Sequence, residues 1–280
     1  MLRYLSLSVN ALYGRPGAAA GEIYMDIKGK RAIVTGAASG IGRATALMLA
    51  GRGAAEIALV DIDGAGLEDS ARQVAALGAH AIPHRLDLAD LAAVAAWFGA
   101  QGDADILHNN AGVVSGPDAF PEMPVDRIGW IVDVNLTSLV VATQIAARAM
   151  RARGGGVIVN TVSTVALGPG FRDAMYATTK AGAMMFTRCC AALKADWNVR
   201  VMGVLPGLTD TPILHTTGGD RAADWMAPIL ANNDRCQPED IAAAVIDLIE
   251  DDDLAGGDWV AVRREQGVVT RQWGHDTPAA

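Results

Sequence analysis

"RAIVTGAASGIGRATALMLAGRG" (residues 31–53), followed at once by "EIALVD" (residues 56–61), is the stretch that decides the fold. "RAIVT" is a short β-branched run, and "IGRATALMLAGRG" carries a helical pattern. Between them, Gly36, Gly40 and Gly42 mark a tight turn. A Cβ there would obstruct the turn, the approach of backbone N–H groups to a phosphate, or the packing of helix against strand. The helix N-terminus behind the turn offers unpaired N–H groups and a positive dipole end, which suits a pyrophosphate. Ser39 and Ile41 sit in the same turn. "EIALVD" reads as the next strand and ends on Asp61, 19 residues after Gly42, with Ile62 following. A carboxylate at that place accepts hydrogen bonds from ribose hydroxyls and repels a 2′-phosphate. No Arg or Lys lies in the glycine turn or directly after Asp61. The pattern therefore favours NAD over NADP; the plainer reading of Asp61 is a helix N-cap.

The alternation continues outward. "GAGLEDSARQVAALG" is helical and stops at Gly78; "HAIPHRLD" is strand-like, although Pro83 weakens it. "LADLAAVAAWFGAQG" is helical, and "ADILHNNAG" is a strand running into a turn. A long helical stretch runs from about Pro124 to Arg153, followed by the strand "GVIVNTV". The helix holding Tyr176, the strand "VRVMGVLPG", the helix "PEDIAAAVIDLIE" and a last strand, "GDWVAV", complete the pattern. Strands and helices in this rhythm predict an α/β chain: a three-layer, doubly wound parallel sheet of about seven strands with helices on both faces. No linker divides it, so residues 25–280 are expected to form a single domain. Residues 1–24 differ in composition and read as a flexible N-terminal extension, with an organelle transit peptide as the alternative.

Hydrophobic residues make up 51% of the 280 and aromatic residues only 5%, so the core must be built mainly from Ala, Val, Leu, Ile and Met. The net charge of −8, without any Lys/Arg block, argues against nucleic acid or an anionic membrane as the main partner. No segment after the first 24 residues has the roughly 18 uninterrupted apolar residues of a membrane span. Cys189, Cys190 and Cys236 show no ligand spacing and read as buried reduced thiols of a cytoplasmic protein. No metal site is expected.

"AMYATTK" places Tyr176 and Lys180 four residues apart, on one face if the segment is helical. Alone, the pair reads more simply as a half-buried aromatic beside a solvated cation. The other motifs change that reading. T-G-x-x-x-G-x-G from Thr35 resembles the short-chain dehydrogenase/reductase family, and so does the chain from about Met25 onward. "NNAG" (residues 109–112), with Asn109, Ala111 and Gly112, is similar to the family motif after the fourth strand. Asn135 in "VNL" matches its catalytic asparagine, and Ser163, 13 residues before Tyr176, its catalytic serine. Asp87, followed by Leu88, resembles the acid that contacts the adenine. "PGLTDT" (residues 206–211), with Pro206, Gly207, Thr209 and Thr211, resembles the loop that closes on the nicotinamide. The far C-terminus looks like that of the hydroxyprostaglandin dehydrogenase branch.

The resemblance implies a secondary alcohol–ketone interconversion with NAD; the alternatives are an NADP-preferring carbonyl reductase of the same family and a catalytically silent cofactor-binding regulator, against which the intact Asn135, Ser163, Tyr176 and Lys180 speak. A tyrosine is too weakly acidic to act as a base near neutrality, so Lys180 and the nicotinamide are expected to lower its pKa. Tyr176 would be the acid–base, and Ser163 would hold the substrate oxygen. Lys180 would grip the nicotinamide ribose, and Asn135 would hold a water leading to solvent. The family also implies a homodimer through the long helix and the Tyr-bearing helix, or a homotetramer. His108 reads as a packed residue rather than a base, and "EDDD" (residues 250–253) as a solvated run. Met184, Met185, Cys189 and Cys190 are expected to fill the face of the Tyr176 helix. Phe120, Phe171, Trp225, Met226 and Ile229 predict a mostly apolar substrate pocket. The tail from Gly267 to Gly274, with Trp273, is expected to pack near the substrate entrance of its own or a partner subunit.

Overall fold

The computed structural model describes residues 25–275 except 103, 118 and 119. The expected N-terminal extension lies outside the described residues. The elements are β1 (Arg31–Thr35), α1 (Gly40–Gly51), β2 (Glu56–Asp61), α2 (Gly64–Ala76), β3 (His80–Arg85), α3 (Leu91–Gly99) and β4 (Ile106–Asn109). After them come α4 (Val125–Val132), α5 (Ser138–Ala152), β5 (Gly156–Thr161), α6 (Ala174–Cys189), α7 (Leu193–Trp197) and β6 (Val199–Pro206). The chain continues through α8 (Ala227–Asn232), α9 (Pro238–Glu250), β7 (Trp259–Glu265) and β8 (Val268–Gly274).

The strands form one sheet in the order β3-β2-β1-β4-β5-β6-β7-β8. All neighbours are parallel except β7 and β8. The chain winds outward from β1 to β3, then crosses back to place β4 on the other side of β1. That reversal opens a crevice beyond the carboxyl ends of β1 and β4, where doubly wound sheets bind ligands. Strand pleating divides the core between the two faces. Ala32 and Val34 of β1 pack with Leu49, Leu67, Ile241 and Val245 from α1, α2 and α9. Ile33, between them, packs on the other face with Val94, Phe98, Ala146 and Met150 from α3 and α5. Pro83 is tolerated because β3 is an edge strand, where a missing N–H breaks no ladder.

Three findings differ from the sequence expectation. The sheet has an eighth strand: Gln266 and Gly267, at φ 52 and 78, make a two-residue turn that folds the tail back antiparallel on β7. Positive φ at both loop residues is the hairpin geometry that matches strand twist. β8 is held there by an ion pair from Arg271 to Asp247 of α9. Second, the long helix is continuous over Val125–Ala152, but a π-helical turn at Asp133–Thr137 interrupts it. By length and composition alone this helix could cross a membrane; here its buried face, including Ala142, Ala146 and Met150, lies on the sheet. Third, of the four sulfur-bearing residues expected to fill α6, Met184 is buried, Met185 and Cys189 are exposed and Cys190 is half-buried. The buried face of α6 runs through Lys180, Ala183, Met184 and Thr187, and a helix turns Met185 about 100° away from it.

Candidate active site

The glycine turn folds onto itself. Gly36 and Gly40 have φ of 67 and 51, the left-handed region that favours glycine. A Cβ on Gly42 would lie 2.1 Å from the Gly36 carbonyl oxygen and 2.7 Å from Asn110 Nδ2. Asn110 fastens the turn from the side: its backbone N–H donates to Thr35 Oγ1 at 2.9 Å and its amide to the Thr35 carbonyl at 3.0 Å. Ser39 stands at the N-cap of α1 without a side-chain capping bond. Asp61, at the end of β2, accepts from the backbone N–H groups of Ala38 and Asp63, each at 3.0 Å. Thr211 lies over the turn, its methyl 3.0 Å from where a Gly40 Cβ would be.

These residues line one end of a cleft of about 710 Å³. Gly36, Ser39, Gly40, Ile41, Asp61, Ile62, Asp87 and Leu88 form that end, and Pro206, Gly207, Thr209 and Thr211 form one side. Ala111, Gly112, Ser163, Tyr176 and Lys180 stand along the same cleft. Three expected site residues do not line it. Gly42 is packed behind the turn. Asn109 is buried and donates to Thr143 Oγ1 and Asn160 Oδ1, both at 3.0 Å. Its neighbour Asn110 takes the place at the cleft, because successive residues leaving a strand face opposite ways. Asn135 is buried as well. Its Oδ1 accepts from Val113 N at 2.7 Å, and its Nδ2 donates to Val113 O and Thr179 Oγ1. The side chain thus clamps the loop after β4.

Asp173 caps α6 by accepting from Tyr176 N at 2.9 Å, which fixes the start of the helix that carries the tyrosine. The same carboxylate receives Ser115 N at 2.8 Å and a short bond from Ser115 Oγ. The phenol of Tyr176 is pushed up to about 12: burial is the main cause, the Ser163 hydroxyl opposes it, and Asp173 adds to it. Burial works against the lowering expected from Lys180 together with a bound nicotinamide. Lys180 Nζ donates to Thr161 O at 2.9 Å and lies 5.7 Å from the Tyr176 ring centre. Burial also lowers Lys180 to about 8, which still leaves it mainly an ammonium at neutral pH. His108 is fully buried, hydrogen-bonded from Nε2 to Thr161 Oγ1 at 2.9 Å, and burial depresses it to about 3. It is a packed neutral imidazole, as its strand-end position suggests.

The far end of the cleft is apolar, with Val114, Pro117, Trp130, Val165, Phe171, Leu214, Met226 and Ile229 on its walls. Phe171 lies between Tyr176 and Trp225, tilted to the first and edge-on to the second, with ring centres at 5.8 and 5.4 Å. Trp225 therefore backs the wall from behind. Phe120 is exposed and outside the cleft, and so is the tail, which pairs with β7 instead. Asn110 lies within the "NNAG" motif, where its neighbour Asn109 is the residue expected at the site; Asp173, Arg127 and Trp130 carried no sequence signal, since nothing in their spacing separates them from ordinary loop and helix residues.

Residues 30–222 match the family model described as short chain dehydrogenase. The chain belongs to the short-chain dehydrogenase/reductase family. Among its relatives, the cis-4-hydroxycyclohexanecarboxylate dehydrogenase of Sinomonas cyclohexanicum is 35% identical over 79% of this chain and 89% of its own length. The "Probable oxidoreductase EphD" of Mycobacterium tuberculosis is 39% identical over 66% of this chain, and the match spans only 32% of that longer protein. Among solved structures, a 7α-hydroxysteroid dehydrogenase complexed with NADH and 7-oxo glycochenodeoxycholic acid superposes with a TM-score of 0.72 at 30% identity, covering 80% of this chain and 88% of its own. The eight-stranded sheet is the Rossmann-type arrangement of this family.

Proposed function

We propose that the chain interconverts a secondary alcohol and its ketone with NAD(H), using Tyr176 as the acid–base. The observation that carries this reading is the shared wall of Ser163, Tyr176 and Lys180 beside the glycine turn and Asp61. The residues suit a nicotinamide dinucleotide: the turn has room only for glycine, and the N-terminus of α1 faces the cleft. Such a cofactor supplies the hydride acceptor or donor when bound. The backbone of residues 36–41 would hold its pyrophosphate, and Asp61 its adenosine ribose. Asp61 opposes a 2′-phosphate by charge. The nearby Arg43 is already engaged with Asp69 at 3.1 Å and Ser70 at 2.9 Å, and so does not favour one.

On the chain's side, Ser163 fixes the substrate oxygen against Tyr176. Reduction needs the phenol and oxidation the phenolate. A tyrosine held protonated by burial and by Asp173 therefore gives the ketone-reducing direction its proton at neutral pH, while oxidation improves as pH rises. The apolar far end suits an alicyclic or similarly bulky substrate, as the names of the relatives suggest. The outward faces of α5 and α6, where Met185 is exposed, are the proposed contact of a homodimer.

The test is turnover of a panel of secondary alcohols with NAD⁺ and NADP⁺, repeated with Tyr176→Phe. The variant is expected to lose about 10²–10⁴-fold in kcat, the usual worth of general acid–base catalysis, while NADH binding changes little. Near-full turnover by Tyr176→Phe would refute the acid–base assignment, and equal kcat/KM for both cofactors would refute the NAD preference.

A further inference from the structure

Among the described residues, Arg127 is the one charged residue on the apolar wall of the cleft. The other charged residues lining the cleft are Asp61 and Asp87 at the adenosine end and Lys180 beside Tyr176. Its guanidinium lies over the Trp130 ring, 3.6 Å from the ring centre. Its Nε donates to Ser115 O at 3.0 Å, and Nη2 makes a long contact of 3.5 Å to Val114 O. Among the described residues the side chain meets those two carbonyls and one ring, and no carboxylate. The neighbouring Asp126 is exposed and accepts from the Arg127 backbone N–H at 3.0 Å, not from its side chain. A half-buried guanidinium with an unused Nη1 edge, facing an apolar space, lacks the counter-charge such a group ordinarily has.

We infer that Arg127, held flat on Trp130, is a carboxylate-binding subsite, and that the substrate is a bulky apolar alcohol bearing a carboxylate away from its hydroxyl. The inference rests on the proposed oxidoreductase reading for the position of the hydroxyl. The planar fork matches a carboxylate through parallel N–H···O bonds, and stacking on the indole holds that fork in one orientation. The surrounding apolar wall strengthens the pairing relative to water. A phosphate dianion fits less well, because no second cation accompanies Arg127 on that wall among the described residues. The subsite is also tied to the chemistry. Ser115, whose carbonyl Arg127 grips, is bound through its N–H and hydroxyl to Asp173, the cap of the helix that carries Tyr176.

The test uses 4-hydroxycyclohexaneacetate and its primary amide, which share a body and differ in charge. Each is titrated into the full-length chain with NADH, read by cofactor fluorescence, and each is then assayed for kcat/KM with NAD⁺. The acid is expected to be favoured by about tenfold or more, as a charge-assisted hydrogen bond provides. Arg127→Gln, which keeps a donor for Ser115 O but no charge, is expected to collapse the acid-to-amide ratio by a similar factor. A ratio near one in the unmutated chain, or one that survives Arg127→Gln, overturns the subsite. So does an equal loss for both compounds, which would make Arg127 only a brace for the loop. Arg127-dependent binding of the acid without turnover of either compound would uphold the subsite and overturn the dehydrogenase reading. Turnover of both at equal efficiency would do the reverse.

Discussion

The two ends of the cleft are made of different material. At the phosphate end the wall is backbone, folded so closely that Gly42 touches the Gly36 carbonyl and Asn110 fastens both. At the substrate end the wall is side chains from separate segments, among them Trp130, Val165, Phe171, Met226 and Ile229. A backbone wall has little slack, because its shape is set by the chain's own turn. A side-chain wall can be re-lined by substitution, so specificity resides there.

The sharpest way to break this contrast is Gly42→Ala. One added methyl would meet the Gly36 carbonyl oxygen at 2.1 Å, so the turn or α1 must shift. NADH affinity is expected to fall by about 100-fold or more, since misplacement by about 1 Å at such a site can cost that much. Fluorescence titration checks it, and near-normal affinity would show that the turn has slack after all.

A smaller effect is expected beneath the divide between the two ends, at His108. Held neutral with a pKa of about 3 against an ordinary value of 6.5, it favours the fold above 6.5 and loses that contribution as pH falls from 6.5 towards 3. Between pH 7 and pH 5 the loss comes to about 2 kcal/mol. His108→Leu should remove that share of the acid-side decline in denaturant melts. An unchanged pH slope would mean that His108 is solvated in solution.

The smallest effect is a shift of profile. Asp173→Asn keeps the cap on α6 but removes a carboxylate that helps hold the Tyr176 proton. The rise of alcohol oxidation with pH should move to lower pH, because the phenolate becomes easier to form. If the profile stays in place, Asp173 acts on the substrate end only as a brace.

How legible each part was follows from the range of the forces involved. The glycine turn, Asp61 and the Tyr176–Lys180 pair are local: a turn, the end of one strand and one helical repeat fix their neighbours within a few residues. Those positions were readable from spacing. Asn109 and Asn110 were exchanged because the side a residue faces on leaving β4 depends on Thr35 across the sheet. The clamp made by Asn135 needed the π-helical turn, which has no distinct sequence pattern. The upward push on the Tyr176 phenol comes mainly from burial, which only the packed structure shows. The eighth strand was missed because Gln266–Gly267 is a weaker turn signal than Asn-Gly or Asp-Gly.

By itself the sequence determined the alternating strands and helices, the resemblance to the family, and the positions of the glycine turn, Asp61 and the Tyr176–Lys180 pair. Those follow from periodicity and from glycine's freedom at φ above zero, which are properties of a short length of chain. Tertiary structure alone decided which side chains face the cleft, what burial does to Tyr176, Lys180 and His108, and that Arg127 faces an apolar wall with no carboxylate partner among the described residues. Desolvation and charge pairing depend on what packs around a group, and those neighbours come from parts of the chain far removed in sequence.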